Sequence, residues 1–173
     1  MAIYTIQEWE QTYWETHPTA TDRDAPRTIM DVGGAGTNFW QALTALTSEK
    51  IIVVDPALID HPITEPEQVT VFAGPVEQLA AVGRHGWIDC LLAISVLEHV
   101  EDVLPFVRAC HMLLRPGGLL FLTMDYWDAE GTDTAHFHWM RKRIYNADRV
   151  RKLAASLREV GFRSYGTANW AYH

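Results

Sequence analysis

Asp31, Gly33, Gly34 and Gly36 are the first residues in this 173-residue chain whose types and spacing could do chemistry. An acid closes an apolar run, and small residues then let a backbone approach a nucleotide-like ligand with no Cβ in the way. Asp55 comes 24 residues later, at the end of a second apolar run. A carboxylate there can accept hydrogen bonds from both hydroxyls of a ribose. Glu98 and His99 follow a longer apolar run. A histidine, with an ordinary pKa of about 6.5, can take a proton from a reacting hydroxyl or amine near neutral pH. The stretch from 125 to 145 mixes Asp125, Asp128, His136 and His138 with aromatics. These four could ligate a metal, but His-x-His with scattered acids is a loose pattern, and no metal is assigned.

Each group has a plainer alternative. Asp31 could cap or brace the loop, Asp55 could be a surface acid ending a strand, and His99 could brace its turn. The stretch from 125 to 145 could be a loop packed by its own aromatics. What would position the groups is a series of strands and helices. Thr28 to Val32, Ile51 to Val54, Val69 to Ala73, Ile88 to Ile94 and Leu119 to Met124 are short and apolar, as strands covered on both faces are. Between them lie helical patterns. One carries Phe39, Leu43 and Leu46 on one face; another carries Val76, Leu79 and Ala80 and stops at Gly83. A third starts at an Asp102 cap, with Val103, Phe106, Val107, Cys110 and Leu114 inward, and closes at Arg115-Pro116-Gly117-Gly118. A fourth starts at an Asn146 cap, carries Val150, Leu153, Leu157 and Val160, and ends at Gly161. Phe162 to about Trp170 could add a last strand. Alternation of this kind predicts an α/β fold, a Rossmann-like doubly wound sheet that is mostly parallel with helices on both faces.

Thr5 and Glu8 form a capping box for an amphipathic helix over 6–16, and a linker rich in Pro, Thr and Asp runs from 18 to 27. Residues 1–27 are therefore expected to stand apart from a domain over 28–173. The length suits one core. With 48% hydrophobic and 21% charged residues the composition is that of a globular protein, and no apolar run reaches membrane-spanning length. MAIYTIQEWEQ lacks the basic start of a secretory signal, so a cytoplasmic location is expected. A net charge of -8 disfavours a nucleic-acid partner, although Arg141, Lys142, Arg143, Arg149, Arg151 and Lys152 cluster locally. Cys90 and Cys110 lie within apolar runs and read as reduced core residues.

Four blocks, IMDVGGAGT, VVDP, IDCLLAISVLEHV and LRPGGLLFLTM, occur in this order, followed by RIYNADRVRKLAASLREVGF. Together they resemble the class I S-adenosylmethionine-dependent methyltransferases over about 28–162. The resemblance implies S-adenosyl-L-methionine as cofactor. Asp31, Gly33, Gly34, Ala35 and Gly36 would hold its methionine end, Asp55 with Pro56 its ribose, Glu77 its adenine side, and Ser95 and Val96 would lie beside it. It also places Glu98 and His99 toward a small-molecule acceptor, with His99 as general base. Tyr126, Trp127, His136, His138 and Trp139, with Phe137, would wall the acceptor pocket.

The chain departs from the family's pattern in three places. The G-x-G-x-G register reads Gly33, Ala35 and Thr37; Pro75 stands where an acid is common; and the sequence leaves room for only one strand of the usual last antiparallel pair. The last antiparallel strand is therefore expected to be missing, and a second copy, the N-terminal segment or a further C-terminal piece is expected to cover that sheet edge. These departures keep open a non-catalytic protein of the same fold that acts through a partner. A nicotinamide-dependent oxidoreductase ranks far lower, because Gly-x-Gly-x-x-Gly is not met from Gly33 or Gly34.

Overall fold

The computed structural model describes residues 28–37, 39–46, 50–60, 67–126 and 144–165. The chain divides into two units, Met1–Pro26 with Ser164–His173, and Arg27–Arg163. The described residues belong almost wholly to the second unit. The helix expected over 6–16 and its linker lie outside them.

Five strands form one sheet in the order β3-β2-β1-β4-β5, and all four pairings are parallel. The strands are β1 (Thr28–Val32), β2 (Lys50–Val54), β3 (Val69–Phe72), β4 (Ile88–Ala93) and β5 (Leu114–Leu122). The helices are α1 (Gly34–Thr37), α2 (Phe39–Leu46), α3 (Val76–Val82), α4 (Val103–Leu113) and α5 (Ala147–Val160), with a 3-10 turn at Pro56–Ile59. The expected Rossmann-like sheet is present, and it is open. No antiparallel strand occurs among the described residues. Phe162 to Tyr165 carry no strand, and the remainder of that expected element lies outside the described residues.

The apolar runs are continuous because both faces of the sheet are covered. Met30, Val32, Ile52, Val54, Leu91 and Ala93 join residues of α3, α4 and α5 in one buried cluster. Alternate residues point to the opposite face. There Ile29, Ile51, Val53, Cys90 and Leu92 are buried, and α2 adds Trp40 and Leu43. Phe39 is only half-buried, so the buried face of α2 is rotated by a residue from the expected one.

Side-chain oxygens set the helix starts as the sequence suggests. Asp102 accepts from the Leu104 amide at 3.1 Å and Asn146 from the Arg149 amide at 3.0 Å. Gly161 ends α5 in the left-handed conformation, φ 116°. The start of β5 differs from expectation. The strand begins at Leu114, immediately after α4, and Arg115-Pro116-Gly117-Gly118 is a bulge within it and not a turn before it. Leu114 pairs with Ile88 and Leu119 with Cys90, so the register shifts between them. Asp89 makes this possible from the neighbouring strand. Its carboxylate holds Arg115 at 2.7 Å and accepts from the Thr28 amide at 2.8 Å, joining the amino ends of three strands.

Candidate functional site

Strand order reverses at β1, with β2 and β3 on one side and β4 and β5 on the other. That is the switch point where open parallel sheets leave a crevice beyond the carboxyl ends of the strands. Register makes those ends level: Val32 pairs with both Val54 and Ala93. The carboxyl ends of β1, β2 and β4, and the turns that leave them, are therefore gathered at one place.

The glycines there have separate jobs. Gly33 alone takes positive φ, +77°, and its amide donates to the Val54 carbonyl at 2.8 Å. A Cβ on Gly33 would stand 2.5 Å from Val96 Cγ2, so the residue must be glycine twice over. Gly34 and Gly36, expected in a loop, belong instead to the helical turn α1. Gly34 is small for contact reasons. A Cβ on it would lie 2.6 Å from Asp31 Oδ2 and 3.0 Å from Val53 Cγ1. The amide of Ala35 is put to use, while the Thr37 side chain lies outside the described atoms.

Asp55 ends β2 in extended conformation, and its carboxylate accepts from two backbone amides, Ala57 at 2.8 Å and Ala35 at 3.1 Å. Its backbone is tied as well: the Asp55 amide donates to Phe72 and the Asp55 carbonyl accepts from Gly74, both at 3.2 Å. One residue thus fastens the ends of β1, β2 and β3. A carboxylate has about four acceptor positions, so two amides leave capacity for ribose hydroxyls on this half-buried group. Its capping role was readable from Asp55-Pro56, since Pro56 occupies the first position of the 3-10 turn.

Asp31 is different. It is 1% exposed, and neither carboxylate oxygen has a hydrogen-bond partner among the described residues. Register sets it between Val53 and Leu92, both apolar. Burial raises its pKa to about 7; the Trp40 amide is near enough to oppose the shift but falls short of a hydrogen bond, and Asp55 adds to it. A bare buried carboxylate beside a small-residue turn suits a cationic ligand group.

Ser95 stands at φ 53°, a left-handed conformation that costs a non-glycine residue about 1–2 kcal/mol. Its amide donates to Thr123 Oγ1 at 2.9 Å, and the Thr123 amide donates to Ala93 at 3.1 Å. Thr123, unnoticed in the sequence, therefore holds this turn, and nothing in its local pattern announces a partner 28 residues away. Val96 packs on Gly33, and the His99 amide closes the turn onto the Val96 carbonyl at 2.8 Å. Glu98 and His99, expected together on the acceptor side, are separated. His99 is exposed, whereas Glu98 is fully enclosed with both oxygens unpartnered among the described residues.

Glu77 lies in the first turn of α3, half-buried. Burial of the Cys110 thiol, with a smaller contribution from the Glu77 charge, pushes that thiol up and keeps it protonated. Tyr126 is half-buried and bridges to Tyr145. Trp127, His136, His138 and Trp139 lie outside the described residues, so of the expected acceptor wall only Tyr126 is described. Among the described residues no three metal-binding side chains converge.

Residues 6–165 match the family described as "Methyltransferase domain". A ubiquinone biosynthesis O-methyltransferase of Xanthomonas campestris pv. campestris (strain B100) is 36% identical over 101 residues, which are 55% of this chain and 41% of the relative. The chain thus spans less than half the length of that relative. Among solved structures, a SAM-dependent methyltransferase from Archaeoglobus fulgidus superposes with TM-score 0.63 at 12% identity, covering 91% of this chain and 69% of the other. A Haemonchus contortus phosphoethanolamine N-methyltransferase 2, in complex with S-adenosyl-L-methionine, gives TM-score 0.61 at 14% identity over 89% of this chain and 37% of that one. At such identities the likeness concerns the fold.

Proposed function

Because the chain belongs to the methyltransferase-domain family, we propose that it transfers a methyl group from S-adenosylmethionine to a small-molecule acceptor. The observation that carries the reading is Asp31, an enclosed carboxylate with no partner among the described residues, at the switch point of the sheet. Keeping such a group bare costs stability unless a ligand uses it. The cofactor's ammonium is a fitting partner. Gly33 and Gly34 let the turn pack closely on Val96 and Asp31 beside the proposed methionine position, and Asp55 offers acceptor positions for the ribose hydroxyls. Pro56, Ser95 and Val96 follow the neighbouring strand ends, and Glu77 lies in the first turn of α3.

Bound there, S-adenosylmethionine supplies a methyl group on a positively charged sulfur, open to attack by an oxygen or nitrogen lone pair. The chain's own part is alignment. Asp55 ties three strand ends together, and Thr123 fixes the Ser95 turn against Gly33, so the ligand meets a loop already shaped. His99, exposed beyond that turn, is the proposed base that takes the acceptor's proton. The net charge of -8 works against a polyanionic acceptor, and no described helix is long and apolar enough to cross a membrane. The relative's O-methyltransferase name favours a hydroxyl acceptor.

Titration calorimetry with S-adenosylhomocysteine tests the reading. Binding should be measurable and should weaken at least tenfold in Asp55→Ala, which loses the loop ties and the ribose acceptor. Absence of binding to the intact chain would remove the methyl-transfer reading. Binding without transfer to any of a broad set of hydroxyl and amine acceptors would move the chain to a non-catalytic role, which its relatives do not favour.

A further inference from the structure

Two carboxylates serve the α1 turn, and they are held unequally. Asp55 accepts from the Ala35 and Ala57 amides. Asp31, one strand away, stands between Val53 and Leu92 with Gly34 pressed against it and no hydrogen-bond partner among the described residues. A carboxyl group in such a place is at ease in two conditions: neutral, or ionised with a cation in contact.

Resting on the cofactor site just described, we propose that Asp31 carries a proton in the free protein and surrenders it when a ligand's ammonium group enters. Cofactor binding is then coupled to the release of a proton and weakens on acidification. The balance is simple. The neutral carboxyl loses H⁺ to solvent, the ammonium keeps its own protons, and the pair left behind is a carboxylate against an ammonium.

The surrounding groups leave this assignment with Asp31. Helices α1 and α2, GAGT and FWQALTAL, bring no ionisable side chain. From β2 comes Asp55, already engaged by amides, while Lys50 is at the opposite end of the strand. From β4 comes only Asp89, also at the opposite end and engaged with Arg115 and Thr28. The turn after β4 carries Glu98, enclosed, and His99, exposed. Burial, opposed in part by the nearby Trp40 amide and reinforced by the Asp55 charge, holds the Asp31 carboxyl up at about 7. At one pH unit below that value roughly nine in ten molecules are protonated, and at one unit above roughly one in ten.

Titration calorimetry with S-adenosylhomocysteine, at pH 6 and pH 8 and each time in buffers of low and high ionisation enthalpy, counts the protons. The expected result is release of close to one proton per ligand at pH 6 and about a tenth at pH 8, with affinity about tenfold weaker at pH 6. Asp31→Asn should abolish the release at pH 6, where the ligand's own amine is already almost fully protonated and exchanges next to nothing. Binding at both pH values with no release at pH 6, or with the same release in Asp31→Asn, overturns the proposal and leaves the methyl-transfer reading standing. No binding at either pH overturns both. If the variant does not fold, the carboxyl ¹³C shift of Asp31 in the unmodified protein at pH 6 decides. A neutral carboxyl that ionises on adding the ligand supports the coupling, and one ionised from the start refutes it.

Discussion

Replacing Asp31 with Asn should make the free protein respond less to pH, and the size of the effect follows from burial. The native carboxyl is raised from 3.8 to about 7, roughly three units, and each unit is about 1.4 kcal/mol. Between those values the native state binds more protons than the unfolded chain, so stability falls as pH rises through the window and levels off above 7. The full effect is about 4 kcal/mol, of which about 2.5 kcal/mol falls between pH 5 and pH 7.5. The Asn variant lacks this loss. Its amide introduces buried donors that can cost about 1–3 kcal/mol, so the pH dependence is a cleaner readout than the absolute stability. Urea unfolding of both proteins at half-unit steps from pH 5 to 8 gives the difference directly. It should shift in favour of Asn by about 2–3 kcal/mol across that range. Parallel profiles would mean that Asp31 holds an ordinary carboxylate pKa, and the argument from its burial would fail.

Gly33→Ala combines an unfavourable φ of +77° with a 2.5 Å approach to Val96 Cγ2, and should cost about 2–4 kcal/mol in denaturant unfolding. A loss below about 0.5 kcal/mol would show that the turn relaxes freely. His99→Ala should lower methyl transfer by roughly two to four orders of magnitude, with S-adenosylhomocysteine affinity nearly unchanged. A near-native rate would leave His99 without a part in proton removal.

The strands were legible because a parallel strand covered on both faces is apolar at every position, and no tertiary knowledge is needed to see IIVV or CLLA as buried. Asp102, Asn146 and Gly161 were legible for a related reason, since a cap is satisfied within a few residues of itself. Contacts between distant segments were not. Gly34 looked like a loop glycine and proves to be the helical residue that makes room for Asp31. The bulge in β5 depends on Asp89, 26 positions before Arg115, and the Ser95 turn depends on Thr123. Glu98 and His99 are sequence neighbours, yet the turn sends one inside and the other out, which depends on the turn's φ values and not on composition.

Asp89 sits at the end of the sheet away from the crevice, where it fastens the starts of β1, β4 and β5. The parallel arrangement thus divides labour by direction. The proposed ligand contacts lie where the strands finish, and this clasp is placed where they begin, with the full length of the strands between. Changes near Thr28, Asp89 and Arg115 can therefore raise or lower resistance to unfolding while leaving the shape of the ligand crevice alone, and the two properties can be altered separately in one small domain.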